Sequence, residues 1–312
     1  MTPRHVGLLV LLSALWGGMF LLVKYALTDF TAVEVAVSQA IIGALGLFVI
    51  VSVQGGEARA ALGDILRRPG PALLLGALAI ATPFMLIALG ELTLPSGLAG
   101  VLASTAPIFI ALFAPVLDPS LKINRRQGAG LIIGLLGVAL VVGVHFTGSL
   151  SQFLGALALL GAAASGALST FVVKLWYKDK GIPASTTSFF ALGVASLLTL
   201  PIAVITAPRQ LPGARAMLAV TVLGLCCTAL AYMLYYWLIV QVGEERAALA
   251  NYLTPAFALL YGVLLLGETL TVAAVIGLVL IIAGAEVTLR GAGEWRSGDD
   301  LSARHRIHPP FR

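Results

Sequence analysis

Four histidines, His5, His145, His305 and His308, are the residues of this chain best suited to hold a metal or shuttle a proton, but none lies at the centre of an apolar stretch. The two cysteines, Cys226 and Cys227, are sequence neighbours. Adjacent helical residues point about 100° apart, so the pair cannot close a disulfide and reads as small packing residues. No paired carboxylates share an apolar face, and there is no glycine-rich phosphate loop ending in Lys-Ser or Lys-Thr. Catalysis and nucleotide-driven pumping would have little to work with. No enzyme activity, cofactor or bound metal is expected.

Three carboxylates, Glu34, Glu91 and Glu286, stand in or beside apolar runs and are the candidates for a proton relay. An acid deep in a membrane marks such a relay. Glu34 and Glu91 fall at the ends of their runs, and Glu286 stands four residues before Arg290, in ion-pair register on a helix. Interfacial pairing is the plainer reading of all three. Lys24 likewise reads as a side chain extending outward from the end of its run.

A softer polar set remains in the middle of the apolar runs. It comprises Trp16, Thr82, Ser104, Thr105, Ser165, Ser169, Tyr232, Asn251, Tyr252 and Thr254. Polar groups at membrane depth need a partner or a wet cavity. Asn251 is the leading choice, since an amide offers two donors and an acceptor. Trp16 is out of place away from an interface, which suits the wall of a pocket. For each Ser and Thr the competing reading is close helix packing. An aromatic, hydroxyl-lined pocket without fixed charge fits a neutral zwitterion or an apolar cation better than a phosphate ester. A phosphate ester would call for buried Lys or Arg.

The elements that would position this set follow from composition. Of 312 residues, 59% are hydrophobic and only 11% charged, against roughly 25% charged in a soluble domain. A lipid span uses about 20 residues, and apolar runs of that length rule out the alternating strands of an outer-membrane barrel. Ten runs emerge, near residues 5–27, 31–53, 71–92, 95–117, 127–146, 151–176, 183–207, 213–241, 246–266 and 271–290. The longest connection, Gln54–Gly70, reads as a surface stretch with an amphipathic turn. No cleavage site follows the first run, so it should remain as a span. The polar stretch 291–312 is expected to be an irregular tail. With the N-terminus inside, 16 of the 19 Lys and Arg residues fall on the inner side and only Lys24, Arg209 and Arg215 on the outer. That asymmetry places both termini in the cytoplasm, and it assigns the net charge of +5 to topology rather than to nucleic acid.

The fourth and ninth runs resemble one another: Ala106-Pro107-Ile108-Phe109-Ile110 against Thr254-Pro255-Ala256-Phe257-Ala258. In the runs that follow, Gly130 and Gly137 match Gly277 and Gly284 with the same spacing. Phe20-Leu-Leu-Val-Lys24 and Phe171-Val-Val-Lys174 end the first and sixth runs alike. Two copies of five spans each, 1–146 and 147–290, must be inverted relative to one another because five is odd. Inverted repeats are characteristic of secondary transporters, with the substrate site near the midplane. Pro107 and Pro255 would each remove a backbone hydrogen bond and kink a helix, as gating pivots or as static shape. Gly130-x-x-x-Gly134 suits either dimerisation or packing within one chain, leaving the protein a monomer or homodimer in its lipid.

Ala14-Leu15-Trp16-Gly17, the two prolines, and Leu264-Leu265-Leu266-Gly267-Glu268 followed by Gly277 and Gly284 are similar to the drug/metabolite transporter superfamily. More narrowly they resemble its EamA-type bacterial exporters, with a possible YddG-like aromatic amino acid exporter within that group. The likeness runs over about residues 5–290. It departs at Pro119-Ser120, where the second copy has Gly267-Glu268, a glutamate expected to cap a helix. The resemblance implies an all-α integral membrane fold, ten helices around a central cavity, in the bacterial inner membrane. It also implies export of neutral amino acids or similar small metabolites by alternating access. The rival readings are a multidrug or hydrophobic-cation exporter and, more distantly, a pore.

Overall fold

The computed structural model describes residues 2–53, 63, 69–117, 123–145, 149–176, 184–206, 211–242, 244–247 and 249–305. Most of 54–70, Pro119-Ser120, and the side chains of Tyr236 and of residues beyond Thr288 lie outside the described residues. Everything regular among the described residues is helical. The helices are α1 (Pro3–Ala26), α2 (Ala32–Val53), α3 (Pro69–Gly76), α4 (Thr82–Glu91), α5 (Ser96–Ala103), α6 (Ala106–Leu117) and α7 (Arg125–His145). The second half contains α8 (Leu150–Trp176), α9 (Ala184–Thr206), α10 (Ala214–Val222), α11 (Ala231–Val242), α12 (Glu244–Ala247), α13 (Leu249–Leu266) and α14 (Val272–His305). Nine helical stretches among the described residues are long and apolar enough to cross a membrane, and Val272–Thr288 is a shorter apolar helix. This is a multi-pass membrane protein.

Lipid exposure explains where the large side chains sit. Leu45, Phe48, Ile132, Leu197 and Ile205 point outward, whereas Ala40, Ala99, Ala167, Ala195, Ala250 and Ala258 are buried between helices. Small residues let helix backbones approach in a solvent as apolar as leucine itself. At the α7–α14 crossing a Cβ on Gly284 would sit 2.6 Å from the Gly130 carbonyl oxygen, and one on Gly137 would sit 2.8 Å from that of Gly277. Gly130 thus faces Gly284 while Gly137 faces Gly277, so α7 and α14 run antiparallel. Gly130 packs on α14 and Gly134 on Ile108 of α6, so both glycines of that motif serve contacts within the chain.

Packing between the halves is reciprocal. The first span, α1, lies on α13 and on the eighth span, while α8 lies on α5–α6 and on the third span; α2 and α9 pack on each other. Gly17 sits at the α1–α13 crossing, where a Cβ would fall 2.5 Å from the Phe257 Cβ and 2.9 Å from the Thr254 carbonyl oxygen. That is the structural reason for glycine after Trp16.

Three spans expected as single α-helices are interrupted. Ala77–Ala81 joins α3 to α4, and Leu223–Leu230 joins α10 to α11, both as π-helix in the third span of their half. In the fourth span the helix breaks at Ser104-Thr105, so Pro107 lies in the first turn of α6 rather than mid-helix. A proline is tolerated there because first-turn amides are unpaired anyway. Pro255 remains inside α13. The stretch after Arg290, expected to be irregular, continues α14 to His305. Propagating an existing helix costs little per residue once it has nucleated.

Candidate functional site

Short local motifs set the helix starts and remove one proton candidate. Thr31 and Glu34 form a capping box: the Glu34 carboxylate accepts from the Thr31 backbone N–H at 2.7 Å and from its hydroxyl at 2.8 Å. The Thr31 Oγ1 accepts in turn from the Glu34 N–H. Glu34 is therefore committed to the start of α2, as Asn124 and Gln127 are to the start of α7. Glu34→Ala is expected to lower stability by about 1 kcal/mol, measured by thermal unfolding in detergent, with transport retained. Glu286 on α14 acts electrostatically on the Tyr252 hydroxyl of α13.

At mid-span the two π segments carry the polar chemistry. The Thr82 N–H reaches the Ala77 carbonyl and the Ala231 N–H reaches the Cys226 carbonyl, each five residues back. Pro83 lies just past the first segment and brings no N–H to the ladder. In the second, the Thr228 hydroxyl donates to the Leu223 carbonyl at 3.0 Å and competes with the backbone for it. Each segment is held from a neighbouring span of the chain. Ser165 on α8 donates to the Leu78 carbonyl at 2.8 Å, and Gln39 on α2, itself buried, donates to the Thr228 hydroxyl at 3.1 Å. π turns inside α-helices concentrate at functional sites. Gln39 and Thr228 had not been singled out from sequence. A buried amide in the middle of the second apolar run was the available signal.

The remaining expected site residues separate into groups. Trp16 stacks obliquely on Tyr235, with ring centroids 5.2 Å apart. Thr254, beside them across the Gly17 crossing, bonds back to the Ala250 carbonyl at 2.9 Å. Asn251 is exposed, but it lies in the first turn of α13 rather than at mid-span, because α12 forms a separate turn before it. Tyr252 is engaged by Glu286, and Tyr232 packs on the α2–α9 cluster with Phe189. Ser104, Thr105 and Ser169 each donate to a carbonyl of their own turn, at 2.6, 2.7 and 2.6 Å. Ser104 and Thr105 thereby satisfy carbonyls at the break between α5 and α6, while Ser169 bonds back within α8. Thr82 is exposed at the end of its π turn and makes the plainest opening among the hydroxyls.

At the membrane end bearing Lys24, cross-half contacts are dense. The Glu268 carboxylate accepts from the backbone N–H groups of Ser96 (2.6 Å) and Gly97 (2.9 Å). It does cap a helix, but the helix is α5 of the other half. Gly267, at φ +66°, ends α13 in a left-handed turn that aims it there. Lys24 donates to the carbonyls of Glu91 and Leu94, Tyr25 to that of Leu265 at 3.1 Å, and the Gly213 N–H to Asp29 at 2.7 Å. Arg215 lies over the Tyr25 ring, 4.1 Å from its centroid.

The described helices form a multi-pass membrane bundle with a π turn in each of the third and eighth spans. The model of the EamA-like transporter family matches residues 5–143 and again 153–290, and the chain belongs to that family. It is 29% identical to the uncharacterized transporter YdfC of Bacillus subtilis over 277 residues, 88% of this chain and 87% of that one. It is 27% identical to the uncharacterized inner membrane transporter YedA of Escherichia coli, covering 85% of this chain and 84% of that protein. Protein PecM of Dickeya dadantii is 26% identical over 67% of this chain and 70% of its own. A protein of known crystal structure shares the fold, with a TM-score of 0.64 at 20% identity over 92% of this chain and 98% of that one.

Proposed function

We propose that this protein is an inner-membrane exporter of small neutral metabolites, amino acids first among them, working by alternating access between two inverted five-span halves. The observation that supports the substrate class is the Trp16–Tyr235 ring pair, with Thr254 next to it across the Gly17 crossing. Aromatic faces and hydroxyls hold a net-neutral molecule without a counter-charge.

Ten spans, with α14 as the last, and inversion of the halves are supported by the antiparallel α7–α14 crossing and the two family matches. The Lys and Arg asymmetry puts both termini in the cytoplasm and the Lys24 end outside. On this reading the dense contacts at the Lys24 end belong to a state closed to the outside, ready to load cytoplasmic substrate. Residues 1–146 and 147–290 rock against each other, with Pro255 and the Pro107 break as pivots.

The reading is tested by flux of labelled neutral amino acids from proteoliposomes. Saturable flux, lowered tenfold or more by Trp16→Ala and severalfold by Asn251→Ala, is the expected result. Movement of hydrophobic cations with no amino acid flux would overturn the substrate class.

A further inference from the structure

Glu91 is completely buried, and neither of its carboxylate oxygens has a hydrogen-bond partner; the hydroxyl of Ser96, equally buried, has none either. By contrast Glu34 accepts two hydrogen bonds on one carboxylate oxygen, and Glu268 accepts one on each. An ionised carboxylate without hydrogen bonds in an apolar interior is not sustained; the group takes up a proton or a counter-ion.

The surroundings decide between these. The charged groups acting on Glu91 are Lys24 from α1 and Glu268 from the turn after α13. On α2 the nearest acid, Glu34, is turned into its own capping box. The α5 segment carries no charge, and the charged side chain of α8, Lys174, lies at its far end. A metal ion at Glu91 would need the Glu91 and Leu94 carbonyls, which the Lys24 ammonium already occupies. Its charge would also oppose a second cation. With Glu268 ionised on the α5 N-terminus and Lys24 charged, a neutral Glu91 leaves the cluster balanced.

We propose that Glu91 is a proton-binding site: it holds a proton while the Lys24 end is closed and releases it to water when that end opens. Closing is therefore linked to uptake of one proton from that side, bound on a carboxylate oxygen of Glu91. Acidifying the Lys24 side favours the closed state and slows release of exported solute. The link to export rests on the transporter reading above; the proton site itself does not.

The test is infrared difference spectroscopy of the purified full-length protein in lipid nanodiscs across a pH series, which needs no substrate. The wild type is expected to show the carbonyl stretch of a protonated buried carboxyl. Glu91→Gln should lose that band, while Glu34→Gln keeps it. Glu91→Asp should retain a band at the aspartate frequency, and it carries the test if Glu91→Gln does not fold. In proteoliposomes, efflux by the wild type should fall severalfold as the Lys24 side is acidified, with Glu91→Gln insensitive. Absence of the band in the wild type, or its persistence in folded Glu91→Gln, overturns the proposal. Failure of every solute to move while the band behaves as expected would sink the transport reading alone.

Discussion

Glu268→Ala is expected to destabilise the protein by about 3 kcal/mol, since it strips the acceptor from two backbone N–H groups at once. Those amides, of Ser96 and Gly97, open α5 next to residues that are themselves buried, so water cannot easily replace the carboxylate. The positive end of the α5 dipole also loses its counter-charge. Glu268→Gln keeps one acceptor and should cost roughly half as much. Because the bond joins the turn after α13 to α5 of the other half, a second effect is expected beyond stability. The Lys24 end should open more often, seen as faster labelling of a cysteine placed at Gly97 in the Glu268→Gln background than in the parent. A melting midpoint unchanged in Glu268→Ala would mean that the contact does not hold the halves together.

The second large effect lies at the α7–α14 crossing. A Cβ on Gly284 meets the Gly130 carbonyl oxygen at 2.6 Å and the Gly134 Cα at 2.7 Å, both backbone atoms that cannot turn aside. Gly284→Val must push the helices apart, and overpacking of a close interface costs 1–3 kcal/mol or, against backbone, about 3 kcal/mol and more. The expected outcome is loss of monodisperse protein on size exclusion. Gly166→Ala is the control: nothing lies within 4 Å of its added Cβ, and the change should be neutral. Equal behaviour of the two variants would show that α7 and α14 do not meet through their glycines.

Much of this architecture was legible from sequence because lipid imposes long apolar runs whatever the tertiary detail. The expected runs agree with the observed helices to within a few residues except the last, which continues past Arg290 to His305, and the glycines matched as a repeat, Gly130, Gly137, Gly277 and Gly284, turn out to sit where backbones touch. What escaped was register inside a span. The π segment Leu223–Leu230 adds residues to the turn, rotating all that follows, and so Tyr235 rather than Tyr232 meets Trp16. Asn251 was chosen for its amide, but it lies in the first turn of α13, which starts at Leu249, whereas Thr254 and Pro255 lie deeper in the span. Glu268 was expected to cap a helix, but its partner lies 172 residues away, beyond any local pattern. Ser165 could equally have faced a cavity or a neighbouring carbonyl, and only the Leu78 π turn explains its bond.

The central claim is that substrate crosses by alternating access through a pocket at Trp16, and counterflow tests it most directly. Proteoliposomes loaded with unlabelled neutral amino acid and diluted into labelled substrate should accumulate label transiently above equilibrium. Trp16→Ala, folded and reconstituted to the same density, should abolish the overshoot. Label that enters in proportion to concentration, without saturation or overshoot and equally in both proteins, would contradict the account and describe a pore.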